Sequence, residues 1–326
     1  VNVSGIEWLY NGTKKGLTVN PSIGCTRISP GCGGGYIKGP NGEQGGCWAE
    51  ELVSTRMSKN PNLPMYHDLA REGGGWSGIV KIVPQRLKEI VALGKARRRN
   101  AEGKLVPFSS RVFVCDLSDL FHNDVPFEYI AAVFGAMACA PNHLFYVLTK
   151  RPARAVEFAK WVERRAEDGL SMFPDDPRDW RIMQMFRSYL GKYGASINNA
   201  RIHDATWPLP NVAMGVTVED RRYGVPRLDL VRQFPARYHW ASVEPLLEDI
   251  GIVDFTGFDL AVVGAESGNG YRPFDPQWAR NVKVACDRSG TRFFWKQGPG
   301  GDTDLEHAPE DLRIRENLPM PSTGTT

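Results

Sequence analysis

The chain has 326 residues, 42% of them apolar, enough for one large α/β domain or two small ones with a sizeable core. Forty basic against 37 acidic side chains leave a formal charge of +3, which excludes recruitment of a polyanion by bulk charge, so any nucleic-acid contact has to be local. No apolar run is long enough to span a bilayer, and Val1 to Glu7 lacks the basic and apolar regions of a secretory signal. A cytosolic protein without membrane association is therefore expected, in which six cysteines serve as ligands or buried thiols rather than as disulfides.

Ile6-Glu7-Trp8 is an isolated pattern. Leu17 to Val19 reads as a short strand stopped by Asn20-Pro21. A loop over residues 20–50 follows it and carries Cys25, Cys32 and Cys47, and a helix from Ala49 to about Lys59 begins after the third cysteine. Residues 60–76 are rich in Pro and Gly and read as irregular. Leu87, Ile90, Val91 and Leu93 then fall at helical spacing within Pro84 to Arg99. Arg97-Arg98-Arg99 at its end reads as a solvated helix C-terminus, with a phosphate-binding patch as the alternative.

From Arg111 onward short apolar strands alternate with amphipathic helices, the pattern of successive βα units around a parallel sheet. The expected strands are Val112 to Leu117, Leu144 to Leu148, Val212 to Val218, Tyr238 to Val243, Leu260 to Gly264 and Thr291 to Trp295. The expected helices are Phe127 to Cys139, Arg154 to Ala166, Arg222 to Gln233 and Pro276 to Arg288. Residues 168–210 exceed what a βα connection needs and read as an insertion with a helix at Asp179 to Tyr193, either a surface element or a lid over the site. Residues 299–326 read as an irregular tail. No internal repeat is visible, and one domain over 1–326 is expected.

Parallel sheets bind ligands at the carboxyl ends of their strands. Each later strand runs into polar residues there: Asp116 and Ser118; Thr149, Lys150 and Arg151; Thr217 and Glu219; Ser242 and Glu244; Glu266; Lys296 and Gln297. Strand alternation places Val112, Val114, Asp116 and Ser118 on one face and turns Cys115 toward the helices, against a ligand role. The same reasoning puts Gly215, Thr217 and Glu219 together, as it does Trp240, Ser242 and Glu244, and Val262, Gly264 and Glu266. A purely structural use of the carboxylates, pairing with Lys150, Arg151 and Lys296, is the competing explanation. Cys115, Cys139 and Cys286 stand singly in apolar surroundings and read as core.

Six residues separate Cys25 from Cys32 and fourteen separate Cys32 from Cys47, seven of these being glycine. Zinc ribbons use two close cysteine pairs, so this spacing favours an iron-sulfur cluster with three protein thiolates and one open iron. Lengthening the closed loop sevenfold costs about 1.7 kcal/mol, whereas a thiolate metal site supplies on the order of 10 kcal/mol.

Ile6-Glu7-Trp8, Asn20-Pro21, Gly24-Cys25-Thr26, Ser29-Pro30-Gly31-Cys32 and Ala49-Glu50 come first in a series of blocks. Asp116 to Phe121, Leu148 to Pro152, Gly215 to Glu219, Ser242 to Leu246, Gly264 to Gly268 and Phe293 to Gln297 continue it. In this order they resemble a family of phage-encoded, radical-SAM-like proteins also present in prophages and bacteria, and the resemblance covers most of the chain. Family members carry the third cysteine two residues past the second, followed by Tyr-Ala-Glu; here glycines stand there and Cys47 precedes Trp48-Ala49-Glu50, as if an insertion had moved the third ligand.

The resemblance implies a partial (β/α) TIM-like barrel of six to seven parallel strands. It also implies a 4Fe-4S cluster on Cys25, Cys32 and Cys47, with S-adenosylmethionine (SAM) on the open iron. Reductive cleavage of SAM would give a 5′-deoxyadenosyl radical that takes hydrogen from substrate. On that reading Asp116 and Ser118 accept from the SAM amino group, Lys150 or Arg151 neutralises its carboxylate, Thr217 and Glu219 hold its ribose, and Glu244, Glu266 and Lys296 contact substrate. Asp119 and His122 lie nearby, His122 as a catalytic or a capping group. The expected substrate is a nucleic acid, nucleotide or modified base, with flavodoxin or ferredoxin as reductant in a host cytoplasm. A repair lyase for damaged pyrimidines and a non-catalytic metalloprotein that binds nucleic acid or a partner protein through the Arg97 region and the inserted segment are the alternatives.

Overall fold

A computed structural model describes residues 1–33, 45–72, 74–168, 177–195, 202, 205–268 and 270–321. Its centre is an eight-stranded sheet. The strands are β1 (Asn2–Val3), β2 (Leu17–Val19), β3 (Arg111–Val114), β4 (Leu144–Thr149), β5 (Val212–Thr217), β6 (Tyr238–Val243), β7 (Leu260–Gly264) and β8 (Arg292–Gln297). They lie side by side in chain order, with β1 antiparallel to β2 and every later neighbour parallel. The fold is thus α/β with a mostly parallel sheet.

The helices are α1 (Trp48–Leu52), α2 (Gln85–Leu93), α3 (Phe127–Ala138), α4 (Pro152–Asp168), α5 (Arg178–Lys192), α6 (Pro226–Val231) and α7 (Pro276–Ser289). Helices α2 to α7 bury their apolar stripes on one face of the sheet, against Val112, Val114, Phe145, Val147, Met214, Val216, Ala241, Val243, Ala261 and Val263. Right-handed crossovers between adjacent parallel strands require this one-sided arrangement when strand order follows chain order. The opposite face packs a smaller core of Phe113, Tyr146, Ala213, Trp240, Val262 and Phe294 under Trp8 and Leu318. Trp8 sits with its ring 5.2 Å from Phe113, 5.1 Å from Tyr146 and 5.0 Å from Trp240.

Several elements differ from the sequence expectation. Strand β3 stops at Val114 because Cys115 takes a left-handed backbone, φ 66°, which non-glycine residues rarely adopt. Val112 and Val114 therefore face the helices and Phe113 the opposite face; the kink at Cys115 is what swings Asp116 and Ser118 to the ligand side. Cys115, Cys139 and Cys286 are all buried in the helix-side core. The helix expected through Arg99 ends at Leu93, where Gly94 packs so tightly that a Cβ would lie 1.9 Å from Cys139 O. Arg97–Arg99 instead pairs with Leu105–Pro107 in an antiparallel ribbon. The helix after Cys47 is α only to Leu52 and continues as a π-helix over Val53–Met57. Helix α6 is confined to Pro226–Val231, shorter than expected.

Within 168–210, α5 buries Ile182, Met183, Phe186 and Leu190 in the helix-side core and packs on α3 and α4. It is structural, not a lid, because it covers the outer layer and not a strand end. Residues 169–176, 196–201 and 203–204 of that insertion lie outside the described residues. The tail is irregular to residue 321 but pinned: Leu312 and Leu318 are buried, and Arg315 donates to the carbonyls of Trp295, Lys296 and Thr303.

Gly215 faces the indole of Trp240, whose nearest atoms would lie 2.3–2.7 Å from an added Cβ. Gly215→Ala is expected to displace that ring and lower stability by about 1–3 kcal/mol, measurable as a lower denaturation midpoint with an unchanged slope.

Candidate metal centre and its cavity

Cys25, Cys32 and Cys47 all line one cavity of about 730 Å³ at the carboxyl edge of the sheet. Trp8 and Phe113 form part of its wall. Asp116, Ser118, Thr149, Lys150, Arg151, Thr217, Ser242, Glu244, Lys296 and Gln297 also line it, so ten of the twelve polar residues expected at the strand ends face one space.

The fourteen-residue separation of Cys32 and Cys47 is closed locally. Gly33 and Gly46 form an antiparallel bridge, so the two cysteines flank one neck. Residues 34–44 of the glycine-rich loop lie outside the described residues. Gly45 sits at φ 62° against the Glu266 carboxylate and the Arg272 guanidinium, each within 2.5 Å of where its Cβ would be.

Carboxylate–arginine pairs hold each cysteine arm. Arg272 donates from its Nε and backbone N to Glu266 Oε2, at 2.8 and 2.9 Å, and from Nη1 to Pro30 O at 2.8 Å, while Gly46 N reaches Glu266 Oε1 at 3.3 Å. This one pair therefore ties the Cys32 turn to the Cys47 arm. Glu219 accepts from Ser29 Oγ and Arg227 Nη1 under the same turn. Asp119 accepts from Thr149 Oγ1, Lys150 N and Arg151 Nη1, and Arg151 reaches on to Thr26 Oγ1 at 2.8 Å and to within 3.9 Å of Cys25 Sγ. Arg27 pairs with Glu50 of α1, whose Oε1 also accepts from Trp76 N at 2.7 Å.

These contacts reassign two expected site residues. Glu219 is fully buried, is not among the cavity-lining residues and has its oxygens on Ser29 and Arg227, so it positions the cysteine turn and does not hold a ribose. Glu266 is buried against Arg272 and likewise tied to the loop. Glu244 remains on the cavity wall with Lys296 Nζ 2.7 Å away, and burial pushes its carboxyl above the usual range. Lys150 Nζ donates to Thr217 Oγ1 at 3.1 Å and makes no ion pair with a described residue. Asp116 accepts from Asn20 Nδ2, and burial raises its pKa. Ser118 is engaged by Ser22, its Oγ 2.8 Å from Ser22 Oγ and 2.7 Å from Ser22 O, which welds the loop to β3. His122 contacts Thr26 Oγ1 through Nε2 and Asp124 N through Nδ1; burial, then Arg151, lowers its pKa, and it serves as a loop brace outside the cavity.

The sequence reading missed Arg27, Arg227 and Arg272. For Arg227 and Arg272 the signal was present only as arginines a short step from the strand-end carboxylates, a spacing surface salt bridges share; Arg27 meets Glu50 across the loop and carried no such signal.

Burial pushes the Cys25 thiol up to about 12, with Asp119 adding to the rise, Arg151 opposing it, and Cys32 and Cys47 near enough to raise it further. Burial also raises Cys47. Unloaded, these thiols hold their protons, and a metal must displace them. Among the described residues no three His, Cys, Asp or Glu side chains converge on a point where one ion could sit. A polynuclear cluster asks only that each thiolate reach its own metal atom, which three soft donors around one cavity fit.

Residues 3–311 match the family described as "Protein of unknown function (DUF5131)", and the chain belongs to that family. No curated protein and no solved structure matches it.

Replacing residues 34–44 by one asparagine would leave Asn-Gly45 as a two-residue turn between Gly33 and Gly46. That chain is expected to load as much iron as the native one, and to lose it on a further Cys47→Ala change. Glu266→Gln leaves Arg272 buried without its counter-charge, an expected loss of about 3–5 kcal/mol in chemical denaturation.

Proposed function

We propose that this DUF5131 member is a radical SAM enzyme whose Cys25, Cys32 and Cys47 hold a 4Fe-4S cluster. The observation that carries this reading is the gathering of the three thiols, by buried ion pairs, over a polar cavity at the carboxyl edge of a parallel sheet. Sequential strand order with the helices on one face suits a partial barrel of the radical SAM type. When bound, the cluster and SAM supply one-electron cleavage of a sulfonium bond and a carbon radical able to abstract hydrogen.

The chain's residues do the rest by binding and orientation. Arg151, beside Cys25 and hooked to Thr26, offsets thiolate charge at that corner. The Lys150 ammonium, held by Thr217, is the cation for the SAM carboxylate, and Asp116 accepts from its amino group. Ser118 contributes by fixing the loop. Thr217 remains the candidate for a ribose hydroxyl. Glu244 and Lys296, on the same cavity wall, contact substrate as a pair whose net charge is zero, a surface suited to a neutral polar group. The substrate class, a nucleic acid, nucleotide or modified base, follows the sequence resemblance, as does a flavodoxin or ferredoxin reductant.

Anaerobically reconstituted, reduced protein is expected to convert SAM to 5′-deoxyadenosine and methionine. Single Cys→Ala changes at 25, 32 and 47 should each remove the brown cluster absorbance and the product. Unchanged iron content in all three variants would overturn the ligand assignment, and a loaded cluster that yields no 5′-deoxyadenosine would favour a non-catalytic metalloprotein. Lys150→Met should weaken SAM binding about tenfold or more, as expected for a lost charge-assisted contact, while leaving iron content unchanged.

A further inference from the structure

The ribbon formed by Arg97–Arg99 and Leu105–Pro107 has no part in the cavity. Residues 95–107 carry Lys95, Arg97, Arg98, Arg99 and Lys104 against Glu102 alone, more net positive charge than the +3 of the whole chain, so the remaining residues are net negative. Lys95, Arg97, Arg99 and Lys104 are exposed and Arg98 is half-buried. None of these five cations makes an ion pair with a described residue.

The ribbon is a built element. Arg97 pairs with Pro107, Arg98 with Val106 and Arg99 with Leu105. Its tip is a turn in which Lys104 N bonds to Asn100 Oδ1 at 2.9 Å and Gly103 takes φ 76°, and its neck closes through Phe108 N to Ala96 O at 2.9 Å. Phe108 packs on His143 with ring centroids 5.4 Å apart, just ahead of β4, and the ribbon runs directly into the start of β3. It therefore projects from the amino end of the sheet, opposite the cysteines.

Repulsion among five cations on so short a segment, none of them in an ion pair with a described residue, costs folding energy. A phosphate backbone would offset it, and a two-stranded β-ribbon has the cross-section that a DNA major groove admits. An anionic lipid surface suits it less, since the only large apolar side chain exposed on the ribbon is Leu105. We propose that this ribbon is a duplex-DNA docking element, with Arg97, Arg98 and Arg99 contacting phosphates, independent of the chemistry at the cysteines.

The test uses the full chain and a fluorescein-labelled 20-base-pair duplex, followed by anisotropy across a salt series. Native protein should bind with an affinity that falls steeply with salt. Changing Arg97, Arg98 and Arg99 together to Gln should flatten the slope of log affinity against log salt by about 2.7, roughly 0.9 per phosphate contact. The triple Lys variant, which keeps the charge, should bind nearly as the native chain does and controls for folding, together with unchanged melting and iron content. Arg56→Gln with Lys59→Gln, which removes two exposed cations on the cysteine side, should leave the slope in place. Equal loss in that control, native-like binding by the Gln variant, or binding to phosphatidylserine vesicles without binding to DNA would each overturn the proposal. Because iron content and 5′-deoxyadenosine are read separately, failure here leaves the cofactor reading untouched, and the reverse holds as well.

Discussion

The fold's functional end depends on burying carboxylates beside guanidinium groups. Glu219 and Glu266 lie almost wholly out of solvent, and each has an arginine a few residues on, Arg227 in α6 and Arg272 in the loop after β7, within ion-pair distance. Such pairs gain little net stability over apolar packing, but losing one member strands a charge. What they provide is position. Further bonds of these pairs reach the cysteine loop: Ser29 on Glu219, Pro30 O on Arg272, Gly46 N on Glu266. Apolar packing shares that task, since Cys25 and Cys47 also lie against a small core of Ile23, Ala49, Val53, Tyr66, Leu69, Trp76, Val83 and Leu117.

The depth of the cavity is set from the other direction. Trp8, carried by the turn after β1, plugs the sheet's smaller core and gives the site a floor. Arg111 secures that plug, donating to Tyr10 O and to Leu318 O, so both ends of the described chain are tied beneath the site. Above the floor, the left-handed Cys115 redirects the β3 exit so that Asp116 and Ser118 face inward although the strand's own alternation would not put them there. A strained residue next to a cluster of polar groups is a common mark of a working site.

Much of this was legible in the sequence, for identifiable reasons. Strand positions followed from apolar runs bounded by turn residues, and the polar strand ends marked the edge that carries the cavity because a parallel sheet presents its loops there. Cys25, Cys32 and Cys47 stood out by number and proximity in the chain. Illegible were features decided by tertiary contact. Glu219 and Glu266 sat at strand ends like Glu244, and only the arginine each one meets separates an anchor from a cavity-lining group. The φ reversal at Cys115 broke the period-two rule without any glycine to announce it. Arg97-Arg98-Arg99 fitted a helix C-terminus by charge, and the structure made it a strand because Gly94 had already ended the helix.

That last difference changes how the molecule is organised. A helix end tipped with arginines would have shed its charge into a dipole and solvent. An extended ribbon sends successive side chains to alternate faces, so the three arginines cannot share one partner group and instead spread charge along and across a narrow element. The sheet thereby separates two kinds of electrostatics. At its carboxyl end Arg151, Arg227 and Arg272 are matched to carboxylates and largely buried, which fixes geometry at the cost of desolvation; at its amino end the ribbon's cations make no ion pair with a described residue, which preserves long-range attraction for a polyanion. Charge that positions and charge that recruits have opposite requirements for burial, and placing them at opposite ends of one parallel sheet lets the same chain meet both.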